Sequence, residues 1–189
     1  ELVKFGSEEN IIAARIDNDW DYRERATNTR YQWEDKNFNA NYGGIIRNVF
    51  LHITPKLYQT LPLYSNLKTT GVYIYAKDFD IKGRSATIHA SSEIKNETDK
   101  IQQVGYAVDI TDINGKPVKS FTGEKITIRP GETKNIGAAA KVNGLNFWSW
   151  GYGYLYKVKT SLLVNNKPVD VVTTRTGFRK TAFKEGMIY

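Results

Sequence analysis

Cysteine is absent from this chain of 189 residues, and histidine occurs only twice, as His52 and His89. The lack of cysteine excludes a disulfide framework, a thiolate zinc site and a cysteine nucleophile. The two histidines lie on separate predicted strands without a nearby cluster of acidic residues, so we predict no metal. A glycine-rich phosphate loop before a helix is also missing, and we predict no cofactor. No apolar run approaches the roughly 20 residues that a membrane-spanning helix needs, and we predict no membrane span.

Acidic residues are outnumbered by basic ones, 20 against 27, and the formal net charge is +7. Such a surplus is compatible with an anionic partner, for example nucleic acid or a sulfated glycan. The basic residues are dispersed, however, and the densest stretch, RTGFRKTAFK at 175–184, belongs to no predicted helix. We therefore expect a solvated, mildly basic surface and no nucleic-acid partner.

Helical periodicity is also lacking. Short runs rich in Val, Ile, Tyr and Thr recur between Gly, Asn, Asp and Pro, a pattern that is typical of β-strands. The predicted strands are 10–17, 45–54, 71–79, 85–95, 102–111, 117–122, 124–129, 134–141, 154–164 and 168–176. Asn114-Gly115 and Asn165-Asn166 lie between consecutive predicted strands and indicate tight hairpin turns.

The strands from residue 71 onward have the spacing of an antiparallel β-sandwich. In two of them every second residue is suited to a core, which gives each strand one buried face. The residues predicted to face that core are Val104, Tyr106, Val108, Ile110, Tyr156, Val158, Thr160 and Leu162.

Residues 1–54 contain only two predicted strands, joined by a polar and aromatic stretch at 18–41. Two strands do not make an independent domain. The segment therefore either packs onto the sandwich or is the end of a domain whose beginning is absent. Residues 55–70, which include two prolines, are interpreted as a linker. Unpaired strand edges in residues 1–54 would favour self-association.

Four motifs resemble glycoside hydrolase family 2, the β-galactosidase and β-glucuronidase group, and together they extend over nearly the whole chain. FGSEENIIAARIDN at 5–18 and YGGIIRNVFL at 42–51 are similar to late strands of that family's N-terminal jelly roll. FW at 147–148 followed by YLYKVKT at 154–160 resembles the segment that closes its immunoglobulin-like domain. Asp170 followed by TGFR at 176–179 is similar to the exit toward the catalytic barrel.

The resemblance implies an all-β chain in which an immunoglobulin-like antiparallel sandwich (71–180) follows the terminal strands of a jelly-roll domain (1–54). Residues 181–189 would begin the link to a (β/α)₈ barrel that this chain lacks. In the family the barrel carries two glutamates, which hydrolyse β-glycosides with retention from about 5 Å apart. We therefore expect a β-glycosidase as the parent protein, periplasmic or secreted in a bacterium, and no activity in the chain alone. The implied partners are the barrel and, through the parent enzyme, carbohydrate.

The resemblance also implies candidate residues for contact with the sugar. In related enzymes the segment before the Gly-Ile-x-Arg motif reaches toward the barrel mouth, although a purely structural loop is the alternative. The candidate sugar contacts in this segment are Trp33, Asp35, Asn37, Asn39 and Asn41.

The aromatic cluster at 147–156 is the most unusual composition in the chain. Flat rings can stack on a sugar, but large aromatic residues more often fill a core. We expect Trp148, Leu155 and Tyr156 to be core residues, whereas Trp150 and Tyr152, which have glycine neighbours, form the exposed pair.

Further predictions concern Arg47, Arg179 and the pair Asn96-Glu97. Arg47 is expected to pair with Asp17 and hold the jelly roll together, and Arg179 is assigned a structural role. Asn96-Glu97 matches the order of asparagine and acid/base glutamate in the family, but it is interpreted as a solvated turn. Asn96-Glu97-Thr98 also matches a glycosylation sequon.

Two functions outside the enzyme class stay open at this point. A stand-alone carbohydrate-binding or adhesion module would use the aromatic cluster as its platform. A nucleic-acid-binding protein would use the basic surface and would show binding that depends strongly on salt.

Overall fold

A computed structural model describes residues 4, 6, 9–16, 44–45, 47–64 and 66–188. The chain divides into two compact units, residues 1–52 and residues 53–189. The described residues contain eleven strands and no helix, which confirms the all-β class, and none of them forms a membrane-spanning helix. The strands are β1 (Leu57–Gln59), β2 (Val72–Asp80), β3 (Ser85–Asn96), β4 (Gln102–Thr111), β5 (Pro117–Thr122), β6 (Ile126–Ile128), β7 (Thr133–Val142), β8 (Tyr156–Val164), β9 (Lys167–Thr176), β10 (Phe183–Lys184) and β11 (Met187–Ile188).

Nine of these strands form two antiparallel sheets. In the first sheet β3 is central: β7 pairs along one edge, and β2 and β1 pair along the other. In the second sheet the order is β5-β4-β8-β9, and β6 pairs with the first residues of β4. β10 and β11 pair only with each other. The two large sheets form the predicted immunoglobulin-like sandwich.

The core lies between the two sheets and follows the alternation of the strands. Ile88 and Ile94 of β3 are fully buried, while the residues between them alternate between the core and the outer face. All eight residues that were predicted to face the core, on β4 and β8, are buried, which confirms both faces. Each strand thus contributes one apolar face, as expected for a sheet that is solvated on its other side.

The turns that were predicted from glycine and asparagine are present. Gly115 has a φ of 84° between β4 and β5, and Asn165 and Asn166 have φ values of 51° and 62° between β8 and β9. Positive φ at both central residues is what a two-residue type I′ hairpin requires, and Asn165 and Asn166 meet this requirement because asparagine tolerates positive φ better than most side chains.

The predicted strands at 10–17 and 45–54 are not found in the described residues of these segments. Ile11 and Phe50, which lie in these two segments, are 85% and 83% exposed. The prediction is wrong for these residues, because an alternating pattern becomes a strand only when a neighbour takes up its backbone hydrogen bonds. The jelly-roll assignment and the domain bounds stay predictions.

Strand β1 was not predicted. It lies inside the segment 55–70 that the sequence assigned to a linker, and Leu57 and Gln59 are buried there. Three residues are too short a run for the alternation of a strand to be recognised.

Candidate functional site

The aromatic turn, residues 147–156, is the first candidate site, and it is built around a tight reversal of the chain. The amide of Ser149 donates to the carbonyl of Tyr152 at 3.0 Å, and the amide of Tyr152 donates to the carbonyl of Ser149 at 2.9 Å. Gly151, at the tip, has a φ of 77°, a conformation that favours glycine. The geometry of this turn therefore depends on glycine, and Trp150, the other central residue, is exposed.

A ladder of aromatic rings connects this tip to the sandwich core. Centroid distances are 5.9 Å from Tyr152 to Tyr154, 5.0 Å from Tyr154 to Tyr156 and 5.4 Å from Tyr156 to Phe178. Tyr156 and Phe178 are buried, whereas Tyr152 is 50% exposed and Trp150 is 96% exposed. The predicted exposure of Trp150 and Tyr152 and the predicted burial of Tyr156 are thus confirmed. Offset aromatic contacts of this kind add stability beyond the area that they bury.

Tyr156 also anchors the start of the turn through its hydroxyl group. Its phenol oxygen accepts a hydrogen bond from the amide of Asn146 at 2.7 Å. Burial raises the pKa of Tyr156, so the phenol stays neutral at physiological pH.

Trp148 connects the aromatic turn to the segment that follows β9. Its amide donates to the carbonyl of Phe178 at 2.8 Å, and the Arg179 guanidinium lies 5.2 Å from the centre of its ring. A Cβ on Gly177 would lie 2.9 Å from the Cβ of Trp148, so this contact requires a glycine. Trp148 itself is half-buried rather than a full core residue. Arg179 therefore makes a cation–π contact with Trp148.

A buried polar network is a second cluster, which the sequence analysis missed. The Gln59 side-chain amide donates to Asp170 Oδ2 at 3.2 Å and to the carbonyl of Thr160 at 3.3 Å. Its Oε1 accepts from Ser92 Oγ at 2.8 Å and from Thr160 Oγ1 at 2.7 Å. The Tyr106 hydroxyl lies 2.6 Å from Ser92 Oγ.

This network joins β1, β3, β4, β8 and β9, and therefore both sheets. Burial raises the pKa of Tyr106, which keeps its phenol protonated. Every polar side-chain atom of Gln59 has a partner, so the network serves to align strands rather than to react. Asp170 was noted only for its position in the exit motif. Nothing in the sequence placed Gln59, inside an assigned linker, beside it.

Asn96 and Glu97 have different surroundings, and neither resembles a catalytic group. Asn96 is fully buried, so the prediction of a solvated turn is wrong for this residue. Its Nδ2 donates to the carbonyls of Lys100 and Ile128, and its Oδ1 accepts from the amide and hydroxyl of Thr98. Because Nδ2 is buried and already bonded, the folded sequon is inaccessible to glycosylation.

Glu97 is exposed, as predicted, and lies on the surface beside Lys95 at 2.7 Å. The hydrogen bond from Lys95 lowers the pKa of Glu97. A general acid requires the opposite shift, a pKa raised by burial or by a neighbouring negative charge. Within the described residues, no three His, Cys, Asp or Glu side chains are grouped as a metal site would require.

Six residues named in the sequence analysis lie outside the part of the chain that the structure describes. The proposed sugar contacts of the long loop and the proposed partner of Arg47 lie outside the described residues; they are Trp33, Asp35, Asn37, Asn39, Asn41 and Asp17. Arg47 is described and exposed. Its pairing with Asp17 stays a prediction.

Comparison with known proteins identifies relatives over most of the chain. Residues 71–179 match the family model described as "Glycosyl hydrolases family 2". A "Beta-glucuronidase" of Formosa agariphila is 34% identical over 183 residues, which cover 97% of this chain and 18% of that protein.

The solved structures that match are also much larger than this chain. One beta-glucuronidase from glycoside hydrolase family 2 is 30% identical with a TM-score of 0.75, and the match covers 89% of this chain and 17% of that one. A putative beta-galactosidase from Bacteroides fragilis is 27% identical with a TM-score of 0.64, over 79% of this chain and 21% of that one. The chain therefore spans about a fifth of the length of these relatives.

Proposed function

Since the chain belongs to the glycosyl hydrolases of family 2, we propose that it is a non-catalytic accessory region of a β-glycosidase and that its sandwich supports the catalytic barrel. The observation that carries this proposal is the attachment of the segment after β9 to the aromatic turn. Phe178 is buried, and the Arg179 guanidinium lies over the ring of Trp148. A domain that continued from this segment would leave the sandwich in one defined direction.

The surface beside this exit suits a contact with another domain. Trp150 is almost fully exposed on a turn that is held by two backbone hydrogen bonds. Large aromatic side chains of this kind are enriched among the anchors of protein interfaces. A rigid anchor also loses little conformational entropy when it is buried.

The surface carboxylates support a non-catalytic role. The pKa values of Glu97, Asp109 and Glu132 are all lowered, chiefly by hydrogen bonds from Lys95, from Ser120 and from the Arg129 amide, respectively. A retaining glycosidase needs one carboxyl group that stays protonated at working pH. We propose that the two catalytic glutamates belong to the barrel of the parent enzyme. The names of the relatives make a β-glucuronide the first substrate class to test.

The test compares the chain of residues 1–189 with the protein encoded by the complete reading frame from which it comes. The short chain is expected to release no chromophore from aryl β-glucuronides or β-galactosides, whereas the complete protein hydrolyses one of them. In the complete protein, Trp150→Ala is expected to lower the thermal midpoint and kcat, because the barrel loses its contact.

Tyr64→Ala is the matched control, since Tyr64 is also an exposed aromatic residue but lies away from the aromatic turn in the sequence. Turnover by residues 1–189 alone would overturn the proposal. An identical response of the complete protein to Trp150→Ala and Tyr64→Ala would also count against the supporting contact.

A second candidate function is favoured by the exposure of Trp150 and Tyr152: a carbohydrate-binding or adhesion module. Both rings would then face a sugar rather than a protein domain. This alternative predicts that residues 1–189 bind a neutral polysaccharide in affinity electrophoresis and that Trp150→Ala abolishes the retardation. The contact of Trp33 and its loop with substrate, and a periplasmic or secreted location, belong to the proposal for the parent enzyme.

A further inference from the structure

The outer face of the first sheet carries an unusual set of side chains. Because β3 pairs with neighbours along both edges, its backbone groups are already bonded, and recognition on this face must use side chains. The strand register places three rows of residues across β2, β3 and β7. The rows are Tyr73, Ser91 and Gly137; Tyr75, His89 and Ala139; and Lys77, Thr87 and Lys141.

An aromatic wall stands along one side of this face. The rings of Tyr75 and His89 are stacked, with centroids 4.8 Å apart and planes within 3° of each other. Tyr73 extends the wall at 5.1 Å from Tyr75, and its side chain is 59% exposed. Aromatic groups on a solvated sheet face, where polar residues are the norm, mark a surface that is suited to a ligand.

A depression of about 350 Å³ lies beside this wall, and small residues form its floor. Gly137 is exposed on this face and carries no side chain, and a Cβ at this position would lie only 3.1 Å from the carbonyl oxygen of Ala90. The volume is at the lower end of the range for small-ligand sites. The residues around the depression include Tyr75, His89, Ser91, Gly137, Ala138 and Ala139.

The charges on this face are unevenly distributed. Lys77 and Lys141 are exposed on opposite sides of Thr87, and the Lys77 ammonium lies 5.4 Å from the centre of the Tyr75 ring. Glu93, the acidic residue of β3 on this face, accepts hydrogen bonds from Thr60 Oγ1 at 2.8 Å and from the Thr70 amide at 3.2 Å. Lys77 and Lys141 therefore lie beside Thr87, whereas Glu93 lies six residues further along β3.

From this arrangement we propose that the outer face of β2, β3 and β7 binds an acidic polysaccharide. A sugar ring occupies the depression and packs against His89 and Tyr75, while carboxylates of the polysaccharide are attracted by Lys77 and Lys141. Flat rings supply contact with the C–H face of a sugar, and the two cations supply charge complementarity. None of these residues belongs to the aromatic turn, so the site is independent of the proposed support of a barrel.

The experiment measures binding of residues 1–189 to polygalacturonate, with dextran as the neutral polymer, by isothermal titration calorimetry. Polygalacturonate is expected to bind and dextran to bind more weakly. His89→Ala and Tyr75→Ala are each expected to raise the dissociation constant about tenfold, which corresponds to about 1.4 kcal/mol. Ala139→Leu fills the depression from an exposed position and is expected to block binding without removing any packing.

Three variants distinguish this site from a general attraction of the basic surface for polyanions and from binding at the aromatic turn. Lys77→Gln is expected to weaken binding and its salt dependence, whereas Lys119→Gln, with the same loss of charge on β5 of the other sheet, is expected to leave both nearly unchanged. Trp150→Ala is expected to bind as the unaltered chain does. Equal losses for the two lysine variants, unchanged binding by Ala139→Leu, or loss of binding in Trp150→Ala would overturn the proposal.

Discussion

At the scale of single residues, local partners determine the ionisation of the surface carboxylates. Asp109 on β4 accepts a hydrogen bond from Ser120 Oγ at 2.7 Å, and Lys159 Nζ lies 3.1 Å from its other oxygen. The Ser120 hydroxyl has the larger effect and Lys159 adds to it, and together they hold the pKa of Asp109 below its ordinary value of 3.8. Because the carboxylate is partly exposed, solvent screens much of this stabilisation.

Ser120→Ala is expected to raise the pKa of Asp109 toward 3.8, since the largest cause of the shift is removed. A lowered pKa in the folded state stabilises the protein above the unfolded pKa, and that stabilisation is lost as the pH falls through the folded value. The variant should therefore be slightly less stable than the unaltered chain at about pH 6, and the difference should shrink in acid. Carboxyl NMR titration and denaturant unfolding at several pH values measure both effects.

Ser149→Ala is the control for this substitution, because Ser149 is an exposed serine of the aromatic turn. It should leave the Asp109 titration unchanged. An Asp109 pKa that stayed equally low in Ser120→Ala would assign the shift to Lys159 instead.

At the scale of elements, the buried polar network holds β1 against both sheets. β1 has only three residues, and its pairing with β3 is correspondingly short. The Gln59 residue, backbone and side chain together, adds bonds to β3, β8 and β9. Side-chain hydrogen bonds thus compensate for a short ladder, which explains how a segment with two prolines is held in the sandwich.

Gln59→Leu is expected to lower the free energy of unfolding by about 2–4 kcal/mol, because the buried hydroxyl groups of Ser92 and Thr160 and the half-buried carboxylate of Asp170 lose their partner. Gln103→Leu is the matched control, since Gln103 is exposed on β4, and it should change stability by less than about 0.5 kcal/mol. Urea unfolding measures both variants. Equal stability of the two would show that the network contributes little.

The alternation of β4 and β8 was predictable residue by residue, whereas β1 and its network were not. Val104 to Ile110 and Tyr156 to Leu162 carry a period of two that any buried sheet face produces. Gln59 and Asp170 are more than a hundred residues apart, and polar side chains carry no periodic signal that would pair them. The exposed tip at Trp150 was predictable because its neighbour Gly151 favours a turn.

At the scale of the whole molecule, the chain consists of two units with different surfaces. The sandwich unit, residues 53–189, has a closed core between two sheets. In the first unit, residues 1–52, several described apolar side chains are exposed, among them Ile11, Ile12, Val49, Phe50 and Leu51. Large apolar side chains that remain exposed favour association with another surface.

A shortened chain of residues 53–189 is expected to fold cooperatively and to remain monomeric, whereas residues 1–189 associate with themselves. The reason is that the core is contained in the second unit and the exposed apolar groups named above belong to the first. Size-exclusion chromatography with light scattering measures both masses. A monomeric full chain would contradict the expected self-association, and loss of cooperative unfolding in the short chain would show that the sandwich needs the first unit.

The sequence by itself determined the class of the fold, the tight turns and the family, because these depend on local alternation, on glycine and asparagine, and on motifs at a fixed spacing. The tertiary structure alone decided that β1 joins the sandwich, that Asn96 is buried, and that Tyr75 stacks on His89. These features arise where segments that are distant along the chain meet. The free energy that stabilises each feature comes from contacts between these segments, so the sequence of either segment alone does not reveal it.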